Sequence, residues 1–498
     1  MTGFRRRYGA PLPATAIATL VACSTPGTGT TTSSSSAPMP APAASVDLTR
    51  PPTLGDPKGL VLPAVVTRDL PNGLRLMIVE QHELPLADFV LVVKNGGETD
   101  EPGKLGTATL ATTLLKEGTT SRSSLQIADQ EAFLGVEIFA GSGWDATTVQ
   151  LHTATGQLDS ALALFADVIL RPAFPAAELE RLRKTRLTSL LQIKDRAPEI
   201  ANRAYAAIVY GSAAYGRPLT GDEPSTNAIQ ESDVRRFYDT YFRPNNATLL
   251  VVGDVRPDDI ERRVGALFGG WERRPVPLPN YGQPPAAKGT TVYLVDKPGA
   301  AQSSFRIGAV GVARNTEDYF PLTVMNTVLG GSFTSRLNNN LRETKGYTYG
   351  ANSGFGMRRS PGPFTASAEI VAAKTDSALI EFMKELRAIR EPIPVDELEK
   401  AKRYLQLQLP GRFETTGGIA GQLSGLVTYD VPLSFFNSYT QRIGAVTQAD
   451  VQRVAQKYID PDRLAIVIVG DRKTIEPTLR AAGVGTITVV DITGKPAG

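Results

Sequence analysis

The sequence is poor in the residues that hold transition metals and covalent crosslinks. Its 498 residues include one cysteine, Cys23, and two histidines, His82 and His152. A single thiol allows neither an internal disulfide nor a cluster of thiolate ligands. His82 lies beside a turn in a polar stretch and His152 alternates with apolar residues, so we interpret them as a surface and a sheet residue. Since no clustered acidic loop offers a Mg²⁺ or Ca²⁺ site either, we expect this chain to bind no metal.

Strong net charge and long apolar runs are also missing. The formal net charge is +3, without a basic block of the kind that follows a phosphate backbone. Nucleic acid is therefore not the expected partner. After the first residues, no apolar run reaches the roughly 20 residues that a membrane-spanning helix needs.

Residues 1–23 have the pattern of a secretory leader. Arg5–Arg7 form a basic start, and a short apolar stretch ends in Leu20–Cys23. This ending resembles a bacterial lipobox, in which the cysteine becomes the lipidated first residue of the mature protein. The alternative is an apolar stretch that contains a cysteine by chance. Lipidation of Cys23 is the preferred interpretation because it is the only cysteine and ends the apolar stretch.

Residues 24–59 are rich in serine, threonine, proline and alanine. A segment of this composition buries too little apolar surface to offset its ordering entropy, so it is predicted to be a flexible tether. Ser24, directly after the cysteine, fits sorting to an outer membrane. We therefore expect the protein in the bacterial periplasm, anchored to the outer membrane by lipid.

Two distant segments of the chain repeat each other. When the sequence is shifted by 217 positions, eight residues between Asp233 and Asp254 match those between Asp450 and Asp471 without a gap. Each copy predicts a helix, a proline stop and a buried strand ending in Gly-Asp, with Ser232 and Thr447 opening the two helices. The sequence thus predicts two homologous halves, residues 60–272 and 290–498, joined by a proline-rich linker at 273–289.

The order of elements indicates the fold class. Alternating apolar residues predict strands near 65–68, 73–80, 88–94, 136–140 and 147–153, and helical periodicity predicts helices over 124–134, 158–170 and 176–193. Short turns between several of these strands favour hairpins over a purely parallel sheet. We expect an α+β protein whose two halves each pack helices on a mixed, mainly antiparallel sheet.

Several motifs in the first half resemble the pitrilysin or insulinase family of zinc peptidases, which includes the mitochondrial processing peptidases. They are Asn95-Gly96-Gly97, Gly106-Thr107-Ala108 and Glu117-Gly118-Thr119. In that family the intervening helix carries His-x-x-Glu-His, whose histidines bind zinc and whose glutamate activates water. The third ligand is a glutamate about 76 residues further on. Alignment by the flanking glycines puts Thr109, Thr112, Thr113 and Ser189 at these four positions, so the resemblance implies a degenerate zinc site.

The second half retains another motif of the same family. Arg342 and Tyr349, seven residues apart, lie in a Gly-Tyr-x-Tyr-Gly context. The resemblance implies that both side chains project towards substrate bound at zinc in the other part of the enzyme. A guanidinium and a phenol are suited to this role because they donate hydrogen bonds to peptide oxygens. The alternative is an ordinary helix-surface arginine and strand tyrosine.

Gly330 and Gly331 precede this motif and have two interpretations. They follow an apolar helical run, so they can simply end that helix. In the resembled family a glycine-rich loop at this point lies near the substrate path. The sequence leaves the two interpretations open.

The resemblance implies a clamshell of processing-peptidase type, in which one subunit brings zinc and the other brings Arg and Tyr. We expect this chain to be the non-catalytic, substrate-binding subunit of a heteromeric metallopeptidase, with zinc and hydrolysis in a homologous partner. The alternative is a stand-alone peptide-binding or assembly protein. A third possibility, an active peptidase with an unusual metal site, is disfavoured by the two histidines.

Overall fold

A computed structural model describes Thr49 and residues 63–497. The predicted leader with its lipidation site Cys23, and the predicted tether apart from Thr49, lie outside the described residues. Within the described part of the chain, no helix is long and apolar enough to cross a membrane.

The first half contains a six-stranded sheet. Its strands are β1 (Val65–Asp69), β2 (Arg75–Glu80), β3 (Leu86–Val93), β4 (Glu137–Ser142), β5 (Thr147–Ala154) and β6 (Ala247–Gly253). They lie in the order β1-β2-β6-β3-β5-β4. Only β2 and β6 are parallel; the other neighbouring strands are antiparallel.

The second half repeats this sheet. Its strands are β7 (Thr291–Asp296), β8 (Gln302–Val310), β9 (Thr348–Phe355), β10 (Pro363–Val371), β11 (Ala465–Gly470) and β12 (Thr486–Val490). The order is β12-β7-β11-β8-β10-β9. Five strands correspond one to one with those of the first sheet. The outer strands differ, because β1 comes from the start of the first half and β12 from the end of the second. The predicted α+β fold with two homologous halves of mainly antiparallel sheet is confirmed.

Helices cover both sheets. Those of the first half are α1 (Thr107–Leu114), α2 (Ser124–Leu134), α3 (Leu158–Leu170), α4 (Ala176–Ile193), α5 (Ala197–Tyr210), α6 (Glu223–Ala228), α7 (Glu231–Tyr241) and α8 (Pro257–Phe268). Those of the second are α9 (Tyr319–Leu329), α10 (Arg336–Asn338), α11 (Thr375–Ala388), α12 (Val395–Gln408), α13 (Thr416–Thr428), α14 (Tyr439–Gly444), α15 (Gln448–Tyr458) and α16 (Arg472–Ala482).

The repeated helix start is only partly as predicted. Thr447 caps α15, because its Oγ1 accepts from Asp450 N at 3.1 Å. In α7, however, the residue before the helix is Gln230, whose backbone N donates to the Asp233 carboxylate at 2.8 Å. The prediction of Ser232 as the opening residue was wrong by two positions, since Asp233 accepts the hydrogen bond that fixes the start of the helix.

Each half covers one face of its sheet with a helix taken from the other half. Helix α13 of the second half packs on β3 and β6 of the first sheet, where Val90 and Leu250 share one core with Leu423. Helix α5 of the first half packs on β8 and β11 of the second sheet. Both faces of the central strands are thus covered, which explains why every residue of β6 is buried.

Polar contacts fix the exchanged helix α5 in place. The Tyr205 hydroxyl donates to Phe364 O at 2.5 Å, and Arg306 Nε donates to Asn202 Oδ1 at 2.7 Å. Gly308 makes room for this contact, since a Cβ there would lie 2.5 Å from the Tyr205 hydroxyl and 1.9 Å from Phe364 O. The two halves therefore share one folded unit.

Cutting the chain in the linker, after Gln283, is expected to leave each half unable to fold alone. The fragment up to residue 283 would lose α13 and the remaining fragment would lose α5, so each would expose an apolar sheet face that promotes association. Size-exclusion chromatography with dye binding to apolar surface tests this, and co-expression should restore a soluble complex. Monodisperse, cooperatively unfolding halves would show that the exchange is dispensable.

Candidate functional site

The three threonines at the degenerate motif lie on α1 and bond mainly to their own helix. Thr112 Oγ1 donates to Ala108 O at 2.8 Å, and Thr113 Oγ1 donates to Thr109 O at 2.9 Å. The Thr112 side chain, at the position of the family's general base, has 0 % exposure. No water can be activated at a position without solvent contact. Helix α1 ends at Leu114, before the motif Glu117-Gly118-Thr119.

Ser189 lies on α4 and forms no hydrogen bond with Thr109, Thr112 or Thr113. Its side chain is exposed, and its hydroxyl donates to Thr185 O at 3.1 Å within its own helix. Among the described residues, no group of three or more histidine, cysteine, aspartate or glutamate side chains could hold a metal ion. The two histidines pair with carboxylates instead: His82 Nδ1 lies 2.7 Å from Asp254, and His152 Nδ1 lies 3.0 Å from Asp88.

An arginine closes the degenerate site. Arg186, one turn before Ser189 on α4, donates from Nη1 to Gly106 O at 2.8 Å and from Nη2 to Thr109 Oγ1 at 2.9 Å. Burial lowers the pKa of Arg186 to about 10, while the nearby Asp100 charge opposes the shift. The guanidinium stays charged at neutral pH, so a fixed cation lies beside the first of the family's ligand positions.

A buried carboxylate holds the start of α1. Asp100 accepts from Gly106 N at 2.6 Å and from Ala108 N at 2.9 Å. Burial raises the pKa of Asp100 to about 7, although these two hydrogen bonds and the charge of Arg186 act in the opposite direction. Sequence patterns did not identify Asp100 or Arg186. Helix α4 also contains Arg181 and Arg183, and spacing alone does not tell which arginine faces α1.

The Arg-Tyr motif lies at an edge of the second sheet. A wide helical turn, Asn339–Thr344, carries Arg342, and the edge strand β9 carries Tyr349. Tyr347 N donates to Leu341 O at 2.8 Å, which ties the strand to the turn. The two residues therefore lie on adjoining elements.

The side chains of the motif differ in their surroundings. Tyr349 is 91 % exposed, and no described residue forms a hydrogen bond with its hydroxyl. Arg342 is half-buried; its guanidinium lies 4.4 Å above the Phe333 ring, and Nη1 is 3.2 Å from Glu343 Oε1. The contact between Arg342 and Glu343 is an ion pair without hydrogen-bond geometry. Arg342 Nη1 is buried and has no hydrogen-bond partner among the described residues. The motif thus offers an exposed phenol on β9 and a half-buried guanidinium on the adjoining turn.

The paired glycines are required by packing. A Cβ at Gly330 would lie 2.4 Å from Ser353 N, and one at Gly331 would lie 2.7 Å from Asn326 Nδ2. Gly330 also ends α9 and accepts from Ser353 N at 3.1 Å. These contacts support the helix-ending interpretation and connect the glycine loop to the strand that carries Tyr349. A role in substrate binding stays a prediction.

Two family models cover most of the folded region. Residues 75–223 match the model described as Insulinase (Peptidase family M16), and residues 228–405 match the Peptidase M16 inactive domain. The chain belongs to peptidase family M16. The resemblance predicted from the two sets of motifs is confirmed.

Individual M16 relatives match over most of their length. An uncharacterized zinc protease of Streptomyces coelicolor is 25 % identical over 410 residues, which are 81 % of this chain and 89 % of that protein. An M16 inactive domain from Pseudomonas fluorescens has 26 % identity and a TM-score of 0.76, covering 82 % of this chain and 98 % of that structure. A Helicobacter pylori protease is similar in fold, with 21 % identity, a TM-score of 0.77, and coverage of 82 % and 100 %.

Replacing Arg186 with alanine is expected to destabilise the protein by about 1–3 kcal/mol, because the buried Gly106 carbonyl and Thr109 hydroxyl would lose their donor. Urea unfolding measures the change. Lys184→Ala, an exposed lysine on the same helix, is the control and should stay within about 0.5 kcal/mol of the parent. Equal stabilities for both variants would show that Arg186 does not hold the two helices together.

Proposed function

We propose that this M16 protein is the non-catalytic, substrate-binding subunit of a heteromeric zinc peptidase. The free Tyr349 hydroxyl on the edge strand β9 carries the proposal. A phenol exposed to this degree is available to a second molecule, to which its hydroxyl can donate a hydrogen bond. The zinc and its activated water belong to a homologous partner that has the His-x-x-Glu-His motif.

The contrast between the two sites supports a subunit role over an independent enzyme. Thr112 is sealed from solvent and Arg186 is bonded to Thr109, so the first site offers neither ligand nor base. Tyr349 keeps a hydroxyl that no described residue uses, and Arg342 lies on the adjoining turn. In the assembled peptidase, Tyr349 donates to the oxygen that becomes negative in the tetrahedral intermediate, and Arg342 holds a peptide carbonyl.

Removing the Tyr349 hydroxyl is expected to lower kcat of the reconstituted pair by about 10²- to 10³-fold, the usual loss for one oxyanion donor, with a small change in KM. Arg342→Ala should lower kcat/KM and raise KM, because Arg342 also binds the ground-state peptide. Steady-state kinetics on peptides with the Tyr349→Phe and Arg342→Ala subunits measure both effects.

Matched controls come from the same half. Tyr293→Phe is the control for Tyr349→Phe; Tyr293 lies on β7, four strands away from β9. Arg463→Ala is the control for Arg342→Ala and removes an exposed arginine near β11. Both controls should keep parental kinetics. If all four variants are equally active, the roles of Arg342 and Tyr349 are refuted; if no zinc-bearing partner associates at all, the stand-alone peptide-binding function is favoured.

We further propose that the subunit is held at a periplasmic membrane surface through a lipid on Cys23. The basic start, the apolar stretch and the lipobox-like ending of residues 1–23 support this location. A Cys23→Ser variant should move from the membrane fraction to the soluble periplasmic fraction, whereas a Ser34→Ala variant should not. An unchanged membrane fraction for Cys23→Ser would refute lipid anchoring at this residue.

A further inference from the structure

A cavity of about 640 Å³ lies apart from both motifs, between elements of the two halves. Its walls come from the end of α4, from α5, from residues 215–224, which include the start of α6, and from the C-terminal residues 492–495. Trp144 and Arg358 also line it. Neither the threonines of α1 nor Arg342 and Tyr349 line it. Its volume falls in the range of about 300–1,000 Å³ that is typical of small-molecule sites.

One part of the cavity wall is apolar. Leu190 and Ile193 come from α4, and Ile200, Ala206 and Ala207 come from α5. The small side chains of the two alanines leave the space beside α5 open. Apolar walls of this kind favour a ligand with a hydrophobic body, since burial removes its apolar surface from water.

Basic residues outnumber acidic residues in the polar part of the wall. Five basic residues line it, against the two acidic residues Asp222 and Glu223; the basic residues are Lys194, Arg203, Arg217, Arg358 and Lys495. Within the described part of the chain, none of the five lies within 4 Å of a carboxylate oxygen. Arg203 and Arg217 donate to neutral groups, the Thr220 hydroxyl at 3.0 Å and Asp100 O at 2.9 Å. The Asp222 carboxylate accepts from Ser225 N at the start of α6, at 2.8 Å.

Arg358 adds a donor without an acceptor. Its guanidinium lies 5.0 Å from the centre of the Trp144 ring and 4.6 Å from that of Tyr215. Its Nη1 is buried and has no hydrogen-bond partner among the described residues. The Arg358 guanidinium thus adds a positive charge to the cavity wall.

We infer that this cavity binds an organic carboxylate with an apolar body, the chemistry of a peptide's free C-terminal end. The carboxylate lies among the five basic residues of the wall, and the apolar body lies along α4 and α5. A fatty acid shares this chemistry, so the two sources must be separated by experiment. Binding requires only this chain and does not depend on a zinc-bearing partner.

Calorimetric titration of the full chain tests the inference. The ligands are an N-acetylated Ala-Ala-Leu-Phe peptide with a free carboxylate, the same peptide as its C-terminal amide, and dodecanoate. The free acid should bind at least about tenfold more tightly than the amide, and added salt should weaken it. Binding of dodecanoate alone would assign a fatty acid as the source. Measurable binding of the peptide acid and the peptide amide with equal affinity, or no binding of either the peptide acid or dodecanoate, would overturn the inference.

Variants locate the site. Ala207→Phe fills the apolar part, and Lys194→Glu combined with Lys495→Glu reverses charge at two exposed positions that tolerate substitution. Each variant should weaken binding of the acid at least about tenfold. Lys184→Glu, on α4 but outside the cavity lining, is the matched control and should bind like the parent. Parental affinity in both cavity variants would overturn the inference.

Discussion

The exchange of α5 and α13 between the two sheets is the constraint on which the rest of the structure depends. Each sheet needs an apolar cover on both faces, and each receives one cover from the opposite half. Val467 and Val469 of β11 pack in one cluster with Ile200 and Ala204 of α5. Because α4 and α5 follow each other closely, this docking also fixes the end of α4, and with it the cavity between the halves.

Sequence patterns predicted the repeated architecture but not the exchange. The shift of 217 positions matches α7 to α15 end for end, because caps and apolar periodicity are local features. The apolar periodicity of a helix is the same whichever sheet the helix covers. The sheet on which α5 packs could therefore not be predicted from the sequence. Sequence patterns did not identify Arg186 for a related reason. Helix α4 contains several arginines, and only its packing against α1 shows that Arg186 is the one that bonds to Gly106 and Thr109.

The two motifs of this M16 chain differ in solvent exposure and in how far their polar groups are already bonded within the chain. At α1 the threonines bond to their own helix, a guanidinium is bonded to Thr109, and Thr112 is shut off from water. At β9 the tyrosine is exposed, and no described residue forms a hydrogen bond with its hydroxyl. The contrast supports a division of labour between two homologous subunits.

The central claim concerns where hydrolysis resides. The most direct measurement is peptide cleavage by a fixed amount of a zinc-bearing M16 partner, captured with this protein from membranes, as purified and metal-free recombinant chain is added. The account predicts no cleavage by this chain alone and activity that rises to a plateau at one chain per partner. Full activity of this chain without the partner, or no response to its addition, would contradict the account.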